Sequence, residues 1–293
     1  MTASTATVPA AGAAPRRRSR AWAKFRRNRS AMLGAAIVLF FVVVAVCAPL
    51  IAGQDPLHVS FTAIRKAPSA AHWFGTDELG RDIFSRMVYG ARASLLAGMC
   101  SVLIALLVGV PLGLLAGYFG GLLDGCISRV TEALFSIPFL ILAIALAAFL
   151  GPSLINAMIA IGVSAAPLFI RLARGQVLAV KNEDYVQSTR SLGASDRRII
   201  LRHVLPNIMP ALIVQATIQI AKAIIAEASL SFLGLGLQPP DPSWGSMLNT
   251  AKNFMTQAPW MSVFPGCAIF LVVFGFNLLG DGLRDALDPR QEG

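Results

Sequence analysis

Residues 182–206 read NEDYVQSTRSLGASDRRIILRHVLP. This polar, arginine-rich stretch interrupts long apolar runs on both sides, and the contrast decides the fold class: helices able to cross a bilayer, joined by a piece that stays out of it. Asn182 can cap a helix by accepting from an orphan amide, which puts Glu183 and Asp184 at the positive end of the helix dipole. Tyr185, Thr189 and Leu192 recur at helical spacing, and Gly193 supplies the left-handed residue that closes such a helix. A second helix can start at Ser195, with Asp196 in its first turn, and run to His203 before Pro206. The prediction is two short helices joined at a glycine. Two uses stay open: an amphipathic loop resting on headgroups, or a surface gripped by another protein.

The composition agrees with a membrane setting. Of 293 residues, 56% are hydrophobic and 14% charged, with a mean hydropathy of +0.67, whereas a soluble domain carries about a quarter charged residues. A net charge of +10 raises nucleic acid as a partner, but the placement of the charges follows membrane topology instead, and no nucleic acid is expected. Cys47, Cys100, Cys126 and Cys267 lie in or at the ends of apolar runs without metal-like spacing, so they read as small hydrophobes and no metal site is assigned. The chain contains no G-x-x-x-x-G-K-[ST] phosphate loop, no H-E-x-x-H and no G-x-S-x-G. It offers no residues for an enzyme, and any ATP must be handled elsewhere.

Residues 1–15 are small and unpatterned, which predicts a disordered tail. Arg16, Arg17, Arg18, Arg20, Lys24, Arg26, Arg27 and Arg29 follow with no acidic residue among them, and beside an apolar run they read as a cytoplasmic anchor. Trp22 and Phe25 share a helix face that can lie on the bilayer. The run over 31–52 is long enough for a retained first span rather than a signal peptide. Further spans are predicted at 93–118, 126–150, 154–172, 208–237 and 261–283, giving an all-α membrane protein of six transmembrane helices. The organisation is then a tail and anchor (1–30), a first helix (31–52), a segment with a short helix on the far side (53–92) and a five-helix core (93–290). Pro111, Pro138, Pro167 and Pro265 are expected to bend their helices, and the fifth span to break at Gly234 or Gly236. The arginine bias puts both termini in the cytoplasm.

In the far-side segment Thr76 can cap a helix, with Asp77 to Arg81 and Asp82 to Arg86 as i, i+4 ion pairs and Leu79, Ile83 and Met87 on one face. Gly109, Gly113, Gly117 and Gly121 recur every fourth residue, a ridge for close helix packing within this chain or, less simply, between subunits. Glu132, Lys222 and Glu227 are the charges set deepest in apolar runs, candidates for a translocation path or for ion pairs that hold the fold. Lys222 and Glu227 are about 140° apart around a helix, too far for a direct pair. The stiff stretch QPPDPSW (238–244), with Trp244 and Trp260, reads as aromatic anchoring at the interface or a contact for a delivery protein.

Gly193 and Ala194, with Pro206 thirteen positions after the glycine, resemble the cytoplasmic loop of ABC importer permeases that docks on the ATPase subunit. FRRNRSAMLG, HWFGTDELGRDIFSR and ASLSFLGLGLQPPDPSWGSML resemble the C-type permease of dipeptide and oligopeptide uptake systems, and the likeness runs from Trp22 to Pro289. It implies a type I ABC importer permease fold in the cytoplasmic (inner) membrane. The implied partners are a B-type permease, two cytoplasmic ATPases that bind ATP and Mg, and an external substrate-binding protein. The implied cargo is a dipeptide or oligopeptide, a glutathione-like compound or a nickel chelate. ATPase coupling would fall to Tyr185, Val186, Gln187, Thr189, Arg190, Leu192, Gly193, Ala194, Ser195, Arg197 and Arg198. Where the family has Glu-Ala-Ala, this chain has Gln187, Ser188 and Thr189, so an acidic contact to the ATPase does not carry over. The rival class, a stand-alone secondary transporter, calls for paired interrupted segments in two related halves, and the sequence has no such repeat.

Overall fold

The computed structural model describes residues 24–287. The expected tail, the basic residues Arg16 to Arg20, Trp22 and Arg290 lie outside the described residues. Helix α1 (Arg29–Val46) is opened by Asn28, whose side chain accepts from the Ala31 amide. Helix α2 (Ile83–Phe119) is opened by Asp82, then come α3 (Gly121–Phe135), α4 (Phe139–Leu150) and α5 (Leu154–Val180), capped by Ser153. The interrupting segment forms α6 (Asp184–Ser191) and the start of α7 (Asp196–Phe232). Helix α8 (Trp244–Ala251) begins with a Ser243–Ser246 capping box, and α9 is Trp260–Leu287. Among the described residues there is no strand, only an isolated bridge between Thr76 and Asp82.

Helices α1, α2, α5, α7 and α9 are long and apolar enough to cross a bilayer. The span expected over 126–150, with a bend at Pro138, is broken there into two helices: α3 and α4 meet at 92°. Pro138 lacks an amide to continue the ladder and pushes Ile137 out of the helical region, which breaks an otherwise unbroken apolar run. With 12 residues, α4 spans only about 18 Å. Pro111, Pro167 and Pro265 instead sit inside continuous helices.

The glycine ridge packs inside this chain. A Cβ at Gly109 would lie 2.7 Å from the Ala166 carbonyl oxygen, one at Gly113 2.6 Å from the Ala173 Cβ, and one at Gly117 2.8 Å from the Val177 Cβ. Every third or fourth residue of α5 therefore fills the groove that α2 leaves open. Gly121, the fourth position of the repeat, has nothing within 4 Å and starts α3. A second close seam joins α1 to α9: a Cβ at Gly34 would meet the Leu279 amide nitrogen at 2.6 Å, and one at Gly282 would run into the Ala31 Cβ.

Three further expectations are corrected. Residues 76–82 form no helix: the Asp77 carboxylate accepts from the amides of Leu79 (3.0 Å) and Arg81 (2.9 Å), closing a turn that competes with helical hydrogen bonding. Asp77 does pair with Arg81 at 2.7 Å, but Asp82 is used as the α2 cap, accepting from the Ser85 amide at 2.8 Å. Arg86 turns to Asp77 at 3.4 Å instead of Asp82. The second short helix does not stop before Pro206; it runs on as α7 through a wide turn at Ile200–Val204, where the Leu205 amide reaches back to Ile200. That extra residue in the turn accommodates the proline ring and its missing donor. Trp244 is no interface anchor. It is 1% exposed, edge-on to Phe41 at 5.5 Å, and its indole donates to the Met87 carbonyl at 3.1 Å.

Candidate functional site

The interrupting segment is held at one end of the bundle by its apolar positions and presents its polar ones. Val186 and Ile199 are buried against the core that contains Val177, Val204 and Ile208. Tyr185, Gln187, Arg190, Leu192, Ser195, Arg197 and Arg198 are exposed, and Thr189 and Ala194 are partly covered. Glu183, not Asn182, takes the cap position of α6, while the Asn182 amide donates to the Leu178 carbonyl at 3.3 Å. Gly193 adopts φ +78° and forms a paired closure: its amide donates to Arg190 at 2.9 Å and the Ala194 amide to Thr189 at 3.3 Å. A side chain there would be strained. Leu192, ahead of that turn, is 89% exposed, an apolar tip beside the arginines.

Gln187 folds back and donates to the Lys181 carbonyl at 3.3 Å. Ser195, Arg197, Arg198, Leu201 and Arg202 line an open hollow on the next turn. The segment thus offers an apolar knob, a cationic hollow and a neutral amide, without the carboxylate the family pattern has at position 187.

No local pattern signals the contacts that fasten this segment. The phenol of Tyr118, near the end of α2, donates to Asp196 Oδ1 at 2.6 Å and accepts from Arg190 Nη2 at 3.1 Å. Lys181 Nζ donates to the Gly117 carbonyl at 2.8 Å. These partners lie 64 to 78 positions apart, beyond the reach of any local pattern.

The three deep charges separate. Glu132 lies on the exposed face of α3, its side chain 67% exposed and 3.5 Å from Arg129; it is not in an apolar interior. Glu227 is fully enclosed by this chain, accepting from the Ser231 hydroxyl at 2.7 Å. The Ser94 and Ser243 hydroxyls lie near it, so it sits where α7 meets α2 and the approach of α8, and it lines no opening. Its Oε2 has no partner among the described residues. Lys222 is the one that stands exposed, inside a spanning helix. Gln215 and Ser229 lie seven positions before and after it on the same face and are both partly exposed, a polar stripe that a count of sevens would have revealed.

Comparisons with known proteins agree with this architecture. Residues 109–293 match the family described as the binding-protein-dependent transport system inner membrane component. Residues 17–68 match the N-terminal TM domain of oligopeptide transport permease C. The glutathione transport system permease protein GsiD of Escherichia coli O6:K15:H31 (strain 536 / UPEC) is 49% identical over 273 residues, which covers 93% of this chain and 90% of that one. GsiD of Shigella flexneri serotype 5b (strain 8401) is 50% identical over the same span and coverage. Among solved structures, inward-facing MetNI methionine ABC transporter chains share the fold, one at a TM-score of 0.58 and 21% identity, covering 70% of this chain and 98% of that chain. A second crystal form gives 0.56 and 22%, covering 69% and 95%. With a family match running through both the segment and the helices that carry it, the chain belongs to the inner-membrane permease family of binding-protein-dependent ABC importers.

Proposed function

We propose that this chain is one half of the membrane channel of an ATP-driven importer for short peptides, glutathione among them, and that residues 182–203 dock on a cytoplasmic ATPase. The observation that carries the reading is the exposure of Leu192, Arg197 and Arg198 on a segment that continues into the spanning helix α7. A partner that grips the segment holds one end of a helix crossing the membrane. ATP and Mg belong to the two ATPase subunits; a B-type permease completes the channel, and an external binding protein delivers the solute.

The orientation follows from charge. The basic end carrying residues 182–203 faces the cytoplasm together with both termini, and the end carrying residues 53–82 faces outward. Nucleotide-driven closure of the ATPases moves the segment, α7 tilts with it, and the bundle alternates between inward and outward openings. Chemistry on the solute is not required of any side chain here. The stripe Gln215, Lys222 and Ser229 supplies donors toward the path, and an ammonium in a poorly hydrated setting favours a solute bearing a carboxylate, as peptides and glutathione do. The likeness to glutathione permeases supports glutathione as the first solute to try.

The test is reconstitution of the complete importer in vesicles. Uptake of glutathione or a dipeptide that requires ATP and the binding protein is the expected result, and Leu192→Asp with Arg197→Glu should release the ATPase on purification. Uptake that ignores ATP and follows an ion gradient would overturn the reading.

A further inference from the structure

Tyr118 occupies a position that docking alone does not explain. It is the penultimate residue of α2, a helix outside the docking segment, and it is 6% exposed. Its single hydroxyl serves both sides of the Gly193 turn: it donates to Asp196, the first residue of α7, at 2.6 Å, and accepts from Arg190, on α6, at 3.1 Å. The Arg190 guanidinium also lies 5.4 Å from the centre of the phenol ring. Arg190 and Asp196 are themselves 3.9 Å apart, with side chains 57% and 56% exposed, a geometry in which a direct ion pair adds little. The phenol is what joins them, since a hydroxyl can donate and accept at once. Below it, α2 is seamed to α5 along Gly109, Gly113 and Gly117, and Lys181 closes that seam at its end.

We propose that Tyr118 is a positioning residue for energy coupling, locking α6 and the start of α7 to α2 so that displacement of the docking segment drives the α2–α5 pair as well as α7. This rests on the docking reading above. Without the phenol's two hydrogen bonds the ATPase would still bind, but its motion would reach the bundle through α7 alone, and part of each stroke would be lost in the Gly193 turn.

The experiment uses the complete importer, with partner permease, ATPases and binding protein, in vesicles with glutathione or a dipeptide as solute. Tyr118→Phe keeps the ring and its packing and removes only the hydroxyl. The expected result is normal co-purification of the ATPase and unchanged basal hydrolysis, with solute moved per ATP reduced about tenfold. Asp196→Ala, at a half-exposed site tolerant of substitution, should lower the same ratio and keeps the test alive if Tyr118→Phe assembles poorly. An unchanged ratio in both variants overturns the proposal, as does a parallel fall in assembly and hydrolysis that leaves the ratio intact, which marks a merely structural contact. Failure of the unaltered chain to retain any ATPase would instead overturn the docking reading itself, and the coupling role with it.

Discussion

Arg174 and Asp124 meet through two parallel hydrogen bonds, Nε to Oδ1 at 2.5 Å and Nη2 to Oδ2 at 2.8 Å. The pair clips α3 to α5 at the basic end, just before the chain turns toward the break at Pro138. Its side chains are 36% and 19% exposed, so solvent screens it, while the two-pronged geometry favours it. Asp124→Ala should cost about 1 kcal/mol, read as a lower melting temperature in detergent. Arg174→Lys should recover only part, because an ammonium cannot form both bonds.

The α2–α5 seam should tolerate added volume poorly. At Gly113 a methyl group would meet the Ile170 carbonyl oxygen and the Ala173 Cβ, each at 2.6 Å, and backbone cannot step aside as a side-chain tip can. Gly113→Ala should destabilise by about 1 to 3 kcal/mol. Gly125→Ala on α3, where nothing lies within 4 Å, should be neutral or stabilise by up to about 1 kcal/mol through helix propensity. Melting curves of the two variants, measured side by side, check the contrast.

Glu227 and Lys222 should separate stability from transport. Removing the Glu227 carboxyl orphans the Ser231 hydroxyl and opens a void, so Glu227→Ala should cost about 2 to 4 kcal/mol, whereas Glu227→Gln keeps an acceptor for Ser231 and should cost clearly less. Thermal unfolding decides between these outcomes.

Lys222→Met should leave the melting temperature nearly unchanged, since the ammonium has no hydrogen-bonding or ionic partner among the described residues. Under the proposed path it should slow uptake of carboxylate-bearing solutes while the complex assembles normally. Unchanged rate and solute range in vesicles would remove Lys222 from the path.

Glu78 gives the segment 53–82 a pH dependence. Burial, and then the neighbouring Asp77 charge, raise its carboxyl above the usual 4.5, against the opposing pull of Arg81. The folded segment therefore holds a proton more tightly than the unfolded chain does. The stability this contributes is fully present below pH 4.5 and is lost as the pH rises through the elevated value. Hydrogen exchange over residues 60–82, corrected for intrinsic rates, should show protection from this source declining from pH 4.5 toward neutrality. Glu78→Gln should flatten that decline.

Much of this was legible in the sequence, and the failures have physical causes. Apolar length marked the spans because a bilayer demands it, and Gly193 and Gly234 were readable because each helix end needs a left-handed residue, with φ of +78° and +82°. Pro138 announced a bend in residues 126–150, but hydropathy could not show that the bend is a full break, since apolar residues flank it on both sides and only backbone geometry changes there. Pro206 misled in the opposite direction: read as a stop, it is tolerated by a wide turn that no residue type announces. Thr76 looked like a cap, but Asp77 captured the local amides first. In the candidate site the two short helices and the Gly193 turn between them followed from local pattern, whereas the Tyr118 clasp and the burial of Glu227 depend on which helices meet.

The seam between α1 and α9 has a consequence in time. Chains emerge from the ribosome at about 5 to 20 residues per second, so the roughly 210 residues between the end of α1 and the start of α9 take about 10 to 40 s to make. Through that interval Gly34 and Ala31 face lipid or the insertion machinery, because the surface that will cover them has not been synthesised. The segment 53–82 waits as well, since its Thr76 carbonyl is met by the Trp260 indole at 3.2 Å and Arg65 by Gln257 at 2.7 Å. Maturation is therefore gated by the carboxy-terminal helix, and a chain cut short before it displays an unfilled groove and a loose outer segment.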